Sequence, residues 1–188
     1  MVETSKKYNT KSLIMCSIFV ALISIGAFIK IPIPVVPFTL QLLFTTLAGV
    51  ILGSRLGAIS VLLYIILGLI GIPIFTNGGG IGYVLQPTFG YLIGFSIGTY
   101  LTGLIVEKSE KITVKSLMIA NFIGLAAVYI IGMIYYYIVA NTFTNSPIGV
   151  WSLILYCFIL AVPGDIVICV GSAFFSKRLL KILKGGVR

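Results

Sequence analysis

Histidine is absent from this 188-residue chain, and acidic residues number only 4 against 13 basic ones. Without imidazole, His-based acid–base catalysis and His-ligated metal sites are excluded. Charge of either sign is scarce. Only 9% of residues are charged, where a soluble domain carries about a quarter, so the chain has too few polar groups to coat a water-facing surface. The sequence G-x-x-x-x-G-K-[ST] is missing, which removes the P-loop route to ATP hydrolysis. Gly78–Gly82 has G-x-G-like spacing but lacks the strand, helix pattern and acidic residue of a dinucleotide fold. No side-chain cluster has metal-ligand spacing, and no nucleophile–base pair stands out, so neither a catalytic residue nor a cofactor is expected. Cys16, Cys157 and Cys169 all lie in apolar runs and read as small core hydrophobes, without a disulfide framework.

What the chain does have is hydrocarbon. Hydrophobic residues make up 59% of it, in runs about as long as the ~20 residues a helix needs to cross a bilayer. Short segments of alternating polarity, the mark of a membrane β-barrel, are lacking. The expected fold is an all-α membrane protein, one domain over residues 1–188. Its six transmembrane helices are placed at about 12–29, 38–52, 58–71, 87–106, 116–140 and 150–175. The lysines ahead of the first run resemble a signal peptide. That run is long for one, and no A-x-A site follows it, so it is taken as a membrane helix. Pro-rich Lys30–Pro37 cannot be helical and reads as a rigid extended loop. Gly53–Gly57 reads as a tight turn, and Pro87 as the first-turn residue of the fourth helix.

Six crossings put the N-terminal tail, the Arg55 turn, the 107–115 turn and the C-terminal tail on one side. All 13 basic residues except Lys30 fall there. By the positive-inside rule this face is cytoplasmic, with both termini. The net charge of +9 therefore reflects membrane orientation and not a nucleic-acid partner. The loops at 30–37, 72–86 and 141–149 lie on the opposite face, nearly uncharged and rich in Pro, Gly, Asn and aromatics. Ile72–Tyr91, IPIFTNGGGIGYVLQPTFGY, carries no charge yet is not continuously apolar, and it reads as a loop closing over a pocket. Small residues four apart allow close helix approach: Gly49, Gly53 and Gly57; Gly90, Gly94 and Gly98; Ser17 and Ala21. For the two glycine series the general use of such spacing is packing within the bundle.

Asp165 is the lone acidic residue inside a span, after Pro163-Gly164. An ionisable group at membrane depth is costly and faces a cavity or a partner; a structural carboxyl bonded to nearby backbone is the alternative. With no second intramembrane carboxylate, an aspartyl-protease dyad is unavailable. Gln41, Asn77 and Gln86 are amides near outer span ends, able to read a urea or amide by donating and accepting. Each also suits a cap or turn, and Asn77-Gly78 is a strong turn signal. Tyr83, Phe89, Tyr91 and Trp151 can stack on a ring system, although aromatics at an interface are expected as a belt in any case.

Three motifs then carry a resemblance: IPIPVVPFTLQ (31–41), GIPIFTNGGGIGYVLQPTFGYLIGF (71–95) and PGD (163–165). With the size and the six spans, the whole chain resembles BioY, the biotin-binding membrane subunit (S-component) of energy-coupling-factor vitamin transporters. The resemblance implies a six-helix S-component fold in a bacterial or archaeal plasma membrane. It also implies biotin as transported ligand, bound near the external face beneath the loops between helices one and two and helices three and four. The implied partners are a transmembrane coupling protein and two cytoplasmic ATPases that supply the energy. Asp165 is then expected to accept from the ureido N–H groups, with Asn77, Gln86 or Gln41 completing the polar contacts. Tyr83, Tyr91 and Trp151 would pack on the bicyclic ring. The family's small-xxx-small coupling motif maps onto Ser17 and Ala21, with serine at a position more usually alanine. One departure concerns the ligand carboxylate. Family members often carry lysine three residues after the PGD aspartate, where this chain has Ile168. Lys30, or backbone N–H groups near Gln86–Thr88, would have to receive the anion instead. An S-component for another vitamin, or a stand-alone secondary transporter, are the alternatives.

Overall fold

A computed structural model describes residues 10–31, 36–144 and 147–185, with side chains through Ile182. The tail lysines Lys6 and Lys7, the prolines of Pro32–Val35 and the end of the C-terminal tail lie outside the described residues. The chain is helical nearly throughout: α1 (Thr10–Phe28), α2 (Gln41–Leu69), α3 (Phe89–Lys108), α4 (Val114–Thr142), α5 (Val150–Ile154) and α6 (Val162–Gly185). Two short strands, β1 (Lys30–Ile31) and β2 (Phe38–Thr39), pair antiparallel across the proline-rich loop. Among the described residues five helical stretches are long and apolar enough to cross a membrane, with α5 and α6 counted as one. The chain is a multi-pass membrane protein.

Six spans were expected, and the difference lies in α2. The sequence separates 38–52 from 58–71 by a five-residue turn; in the structure the two helices abut within one element, Gln41–Leu69, with a sharp kink in place of that turn. The break is confined to Gly53, at φ 84° and ψ −179°, a conformation L side chains rarely adopt. The chain nevertheless reverses there. In a straight helix residues 48 and 57 would lie about 13 Å apart, yet a Cβ added at Gly57 would sit 2.9 Å from the Ala48 carbonyl oxygen. α2 is thus a folded pair of arms about 18 and 24 Å long. Glu107, at the end of α3, locks the fold: its Oε1 accepts from the Ser54 backbone N–H at 2.8 Å and its Oε2 from the Ser54 hydroxyl at 2.7 Å. This supplies the N-terminal cap that the second arm needs where the helix is interrupted.

The glycine series serve close packing inside the bundle. α3 lies between α2 and α4, α1 packs on α2, and α6 packs on both α2 and α4. A Cβ at Gly49 would fall 2.6 Å from the Thr99 carbonyl oxygen, and one at Gly98 would fall 2.7 Å from that of Gly124. Backbone therefore meets backbone, as in tightly crossing membrane helices. Buried hydroxyls then find partners across the crossings. Thr99 donates to the Thr45 carbonyl at 3.2 Å, Thr102 donates to that of Ala120 at 3.2 Å, and Thr46 and Ser172 share a hydrogen bond at 2.9 Å. By contrast Ser17 and Ala21 face outward on α1 beside exposed Leu13, Ile14, Ile18 and Ile25. The Ser17 hydroxyl donates to the Leu13 carbonyl at 3.1 Å, so its polarity is satisfied within the helix.

The 70–88 stretch is a built object and not slack chain. Phe75 and Gly78 exchange backbone hydrogen bonds at 2.9 and 3.2 Å, making a tight hairpin with Thr76 and Asn77 at its tip. Gly78 and Gly80 take φ of 111° and 104°. Phe75 is fully buried, its ring 4.5 Å from that of Tyr83 and 5.3 Å from that of Tyr64. Space for that ring comes from Gly68, where a Cβ would lie 2.1 Å from the Phe75 ring. A 3-10 turn, Ile81–Leu85, then leads into α3. The expected role of Pro87 is corrected here: α3 begins at Phe89 with Thr88 as its N-cap, so Pro87 ends the loop ahead of the helix.

Because Phe75 is the plug that holds this loop down, Gly68→Ala should lift it. Overpacking a filled site costs about 1–3 kcal/mol, and the strain falls on the hairpin. Hydrogen–deuterium exchange of purified protein should show faster exchange across 72–80 with α3 and α4 unchanged. Unaltered exchange in the hairpin would mean that Phe75 is not its anchor.

Candidate functional site

Where the 36–39 segment and the 72–88 loop meet the ends of the helices, they roof a cavity of about 710 Å³, counted out to its open mouth. Pro37, Phe38 and Thr39 supply one side, and Thr76, Asn77, Tyr83 and Thr88 another. The walls are Gln41 and Leu42 of α2, Tyr91, Leu92 and Phe95 of α3, and Leu125, Val128 and Tyr129 of α4. Cys157, Ala161 and Asp165 close it from the sixth segment. The lining is mostly apolar with a few polar groups, the usual make-up of a small-molecule site.

Among the described residues Asp165 is the one charged side chain in that lining. Its placement depends on an irregular helix. Leu155–Ile159 forms a π-helical turn, with the Leu160 N–H donating to the Leu155 carbonyl at 3.1 Å. Such widened turns recur at functional sites because they redirect the side chains that follow. α6 then starts at Val162, tolerating Pro163 in its first turn, and Asp165 lies within that turn, where the helix dipole favours an anion. Gly164 is required by its neighbour. A Cβ there would lie 2.6 Å from the Phe38 ring, which lines the cavity from the loop side. The PGD sequence thus combines a helix start, room for an aromatic and a carboxylate aimed into the cavity. One carboxylate oxygen, Oδ2, accepts a hydrogen bond from the Tyr129 hydroxyl.

The sequence-derived candidates divide. Asp165, Asn77, Gln41, Tyr83 and Tyr91 all line the cavity. Gln41 is buried and committed on both sides of its amide: Oε1 accepts from the Thr39 hydroxyl at 3.4 Å, and Nε2 donates to the Tyr64 hydroxyl at 2.9 Å. Tyr64 in turn donates to the Ile74 carbonyl at 3.1 Å, so this relay ties the two roofing loops to α2. Tyr91 donates to the Cys157 carbonyl at 3.4 Å. Burial raises the pKa of the Tyr83 phenol above its ordinary value, with the adjacent Thr88 hydroxyl and Asn77 backbone acting in the opposite sense. Tyr83 thus presents a neutral hydroxyl.

Three candidates stay outside the lining. Gln86 ends the 3-10 turn, its N–H donating to the Tyr83 carbonyl at 3.0 Å. Lys30 is exposed at the rim, its Nζ donating to the Thr76 carbonyl at 3.2 Å. Trp151 is 71% exposed on α5 and points away from the cavity lining. Ile168, where the departure from the family pattern falls, is buried in the core with Leu42, Leu125 and Cys169 and does not line the cavity. Sequence reasoning missed Tyr129, Phe38, Thr39, Thr76 and Thr88. For Tyr129 a signal existed: a tyrosine in mid-span, far from the interfaces where belt aromatics sit, needs a buried partner for its hydroxyl.

Residues 3–185 match the BioY family. The "Probable biotin transporter BioY" of Lysinibacillus sphaericus is 44% identical over 179 residues, covering 95% of this chain and 91% of the relative. The "Biotin transporter BioY" of Thermotoga maritima is 35% identical over 173 residues, covering 92% and 97%. In three dimensions the chain is similar to a crystal structure of the S-component for biotin from an ECF-type ABC transporter. The TM-score is 0.78, with 28% identity and 95% of each chain covered. Sequence and fold agree over nearly the full length, and the chain belongs to the BioY family.

Proposed function

We propose that the chain is the biotin-binding S-component of an energy-coupling-factor transporter, and that the roofed cavity holds the vitamin during uptake. The observation that carries this reading is the lone Asp165 carboxylate facing an otherwise uncharged, mostly apolar cavity, in a chain whose relatives are named biotin transporters over most of their length. Biotin presents a ureido group with two N–H donors, an apolar bicyclic body and a valerate tail ending in carboxylate. Charge alone orients it. Two anions 4 Å apart at an effective dielectric of 20 repel by about 4 kcal/mol, so the carboxylate must lie away from Asp165 and the ureido head toward it. Asp165 accepts from the head, the Asn77 amide completes the polar contacts, and Tyr91 and Tyr83 pack along the ring. The tail runs to the mouth, where Lys30 exchanges the Thr76 carbonyl for the ligand carboxylate. Gln86 and Trp151 take no direct part. Charged hydrogen bonds contribute about 1.5–3 kcal/mol each against about 12 kcal/mol for nanomolar affinity, so apolar burial of the bicycle supplies much of the binding.

In this reading the two arms of α2 each cross, or nearly cross, the bilayer, giving six crossings with both termini cytoplasmic. The outward α1 face around Ser17 and Ala21 is where the transmembrane coupling protein docks, and two cytoplasmic ATPase subunits drive the cycle. Neither small residue is used in packing against α2, which leaves a shallow stripe for another helix.

Two outcomes follow. Asp165→Asn removes the charge but not the shape, so biotin affinity should fall about tenfold or more while the protein still inserts and folds. Isothermal titration of the purified variant measures this, and unchanged affinity would remove Asp165 from the ureido site. Replacing Ser17 and Ala21 together with Leu should leave biotin binding intact but abolish co-purification with the coupling protein; retained co-purification would place the docking surface elsewhere.

A further inference from the structure

Asp165 is not alone in presenting its carboxylate. We infer that Tyr129 is a positioning residue for ligand binding: by donating its hydroxyl to Asp165 Oδ2 it fixes the carboxylate so that the remaining acceptor capacity faces the cavity. This rests on the biotin-binding reading above.

The structural grounds are independent of the ligand. Tyr129 is buried on α4, one helix away from Asp165 on α6. Its ring cannot drift: Tyr91 meets it edge-on at 6.2 Å and 89°, and Phe158 at 5.2 Å and 78°. Both rings belong to other segments, so three helical segments clamp the phenol. The carboxylate has no comparable restraint. It lies on the first turn of α6, after a π-helical turn and a proline, and among the described residues no basic side chain lines the cavity with it. An aspartate with two torsions and no cationic partner would sample several orientations at an apolar wall. A carboxylate left without donors there pays a large desolvation cost. The Tyr129 hydroxyl offsets part of that cost and at the same time occupies Oδ2. Oδ1 and the outer lone pair of Oδ2 are what remain for ligand donors. The arrangement favours ligands with one or two N–H donors at a fixed spacing over ligands that present an acceptor, because the phenolic proton is already spent on the carboxylate.

Tyr129→Phe tests this with minimal perturbation, since the ring contacts to Tyr91 and Phe158 are kept. Biotin affinity should fall about fivefold, the loss of one hydrogen bond's worth of preorganisation. The decisive reading is a double-mutant cycle by isothermal titration. In an Asp165→Ala background, Tyr129→Phe should change affinity by less than about twofold, because the residue it positions is gone. A merely structural role for Tyr129 would give the same loss in both backgrounds, and that result overturns the inference. So does unchanged affinity on Tyr129→Phe with Asp165 present. The two failures are separable from that of the functional reading: wild-type protein that does not bind biotin removes the reading and the inference together, whereas wild-type binding without Tyr129 dependence removes the inference alone. If Tyr129→Phe reduces expression, 3-fluorotyrosine placed at 129 keeps the fold and alters only hydroxyl acidity. Its biotin affinity should then differ from wild type only when Asp165 is present, and an equal change without Asp165 again overturns the inference.

Discussion

The Asp165 carboxylate, half-buried on an apolar cavity wall with no cation among the described residues that line it, is the constraint around which this structure is arranged. Charge at membrane depth is expensive, and it persists only where hydrogen bonds and a helix terminus compensate. The π-helical turn at Leu155–Ile159, the proline-initiated start of α6 and the Tyr129 hydroxyl all bear on that one group. Phe38 packs against the adjacent Gly164 and lines the same cavity from the loop side. A transport subunit gains from this economy. Under the proposed reading, a single charge selects ligands with N–H donors and repels the carboxylate end of the same molecule, so one residue sets both affinity and orientation.

The rest of the bundle serves to hold the roof over that charge. Backbone-to-backbone crossings at Gly49–Thr99 and Gly98–Gly124 make α2, α3 and α4 a rigid wall. The loop over the cavity is then pinned at two points: Phe75 fills the space left by Gly68, and the Thr39–Gln41–Tyr64–Ile74 relay links both roofing segments to α2. At the other end of the molecule, Glu107 caps the second arm of α2 and so maintains the reversal at Gly53. The end that carries the cavity is therefore built for binding and the opposite end for maintaining the fold, while the outward side of α1 is left free of internal packing.

Much of this was legible in the chain itself. Composition and the length of the apolar runs specify a helical membrane bundle, and the glycine spacings of α2 and α3 specify close crossings. Asp165 stands out because it is the lone acidic residue within a span, and Asn77 because uncharged polar residues interrupt hydrocarbon there. What eluded sequence reasoning depends on contacts between distant segments. Gly53 signals a turn, but only the Glu107 cap shows how a one-residue kink suffices for the reversal. Pro87 suits a first helical turn, yet the 3-10 turn before it shifts the helix start to Phe89. Gln41 reads as a ligand amide, while its two partners Thr39 and Tyr64 come from a strand and from the far arm of α2. Trp151 belongs to a generic stacking class, and nothing local tells an exposed indole from a ligand-facing one. Tyr129 lies in mid-span and so signals a partnered hydroxyl, but that the partner is Asp165 depends on another helix.

The central claim is that the cavity beneath the 72–88 loop is the biotin site, with the head of the ligand at Asp165. A structure of the purified protein with biotin bound tests this most directly. The ureido group should lie within hydrogen-bonding distance of Asp165, the bicyclic ring against Tyr91, and the carboxylate at the mouth on the Lys30 side. Biotin found elsewhere on the molecule, or in this cavity with its carboxylate turned toward Asp165, would contradict it.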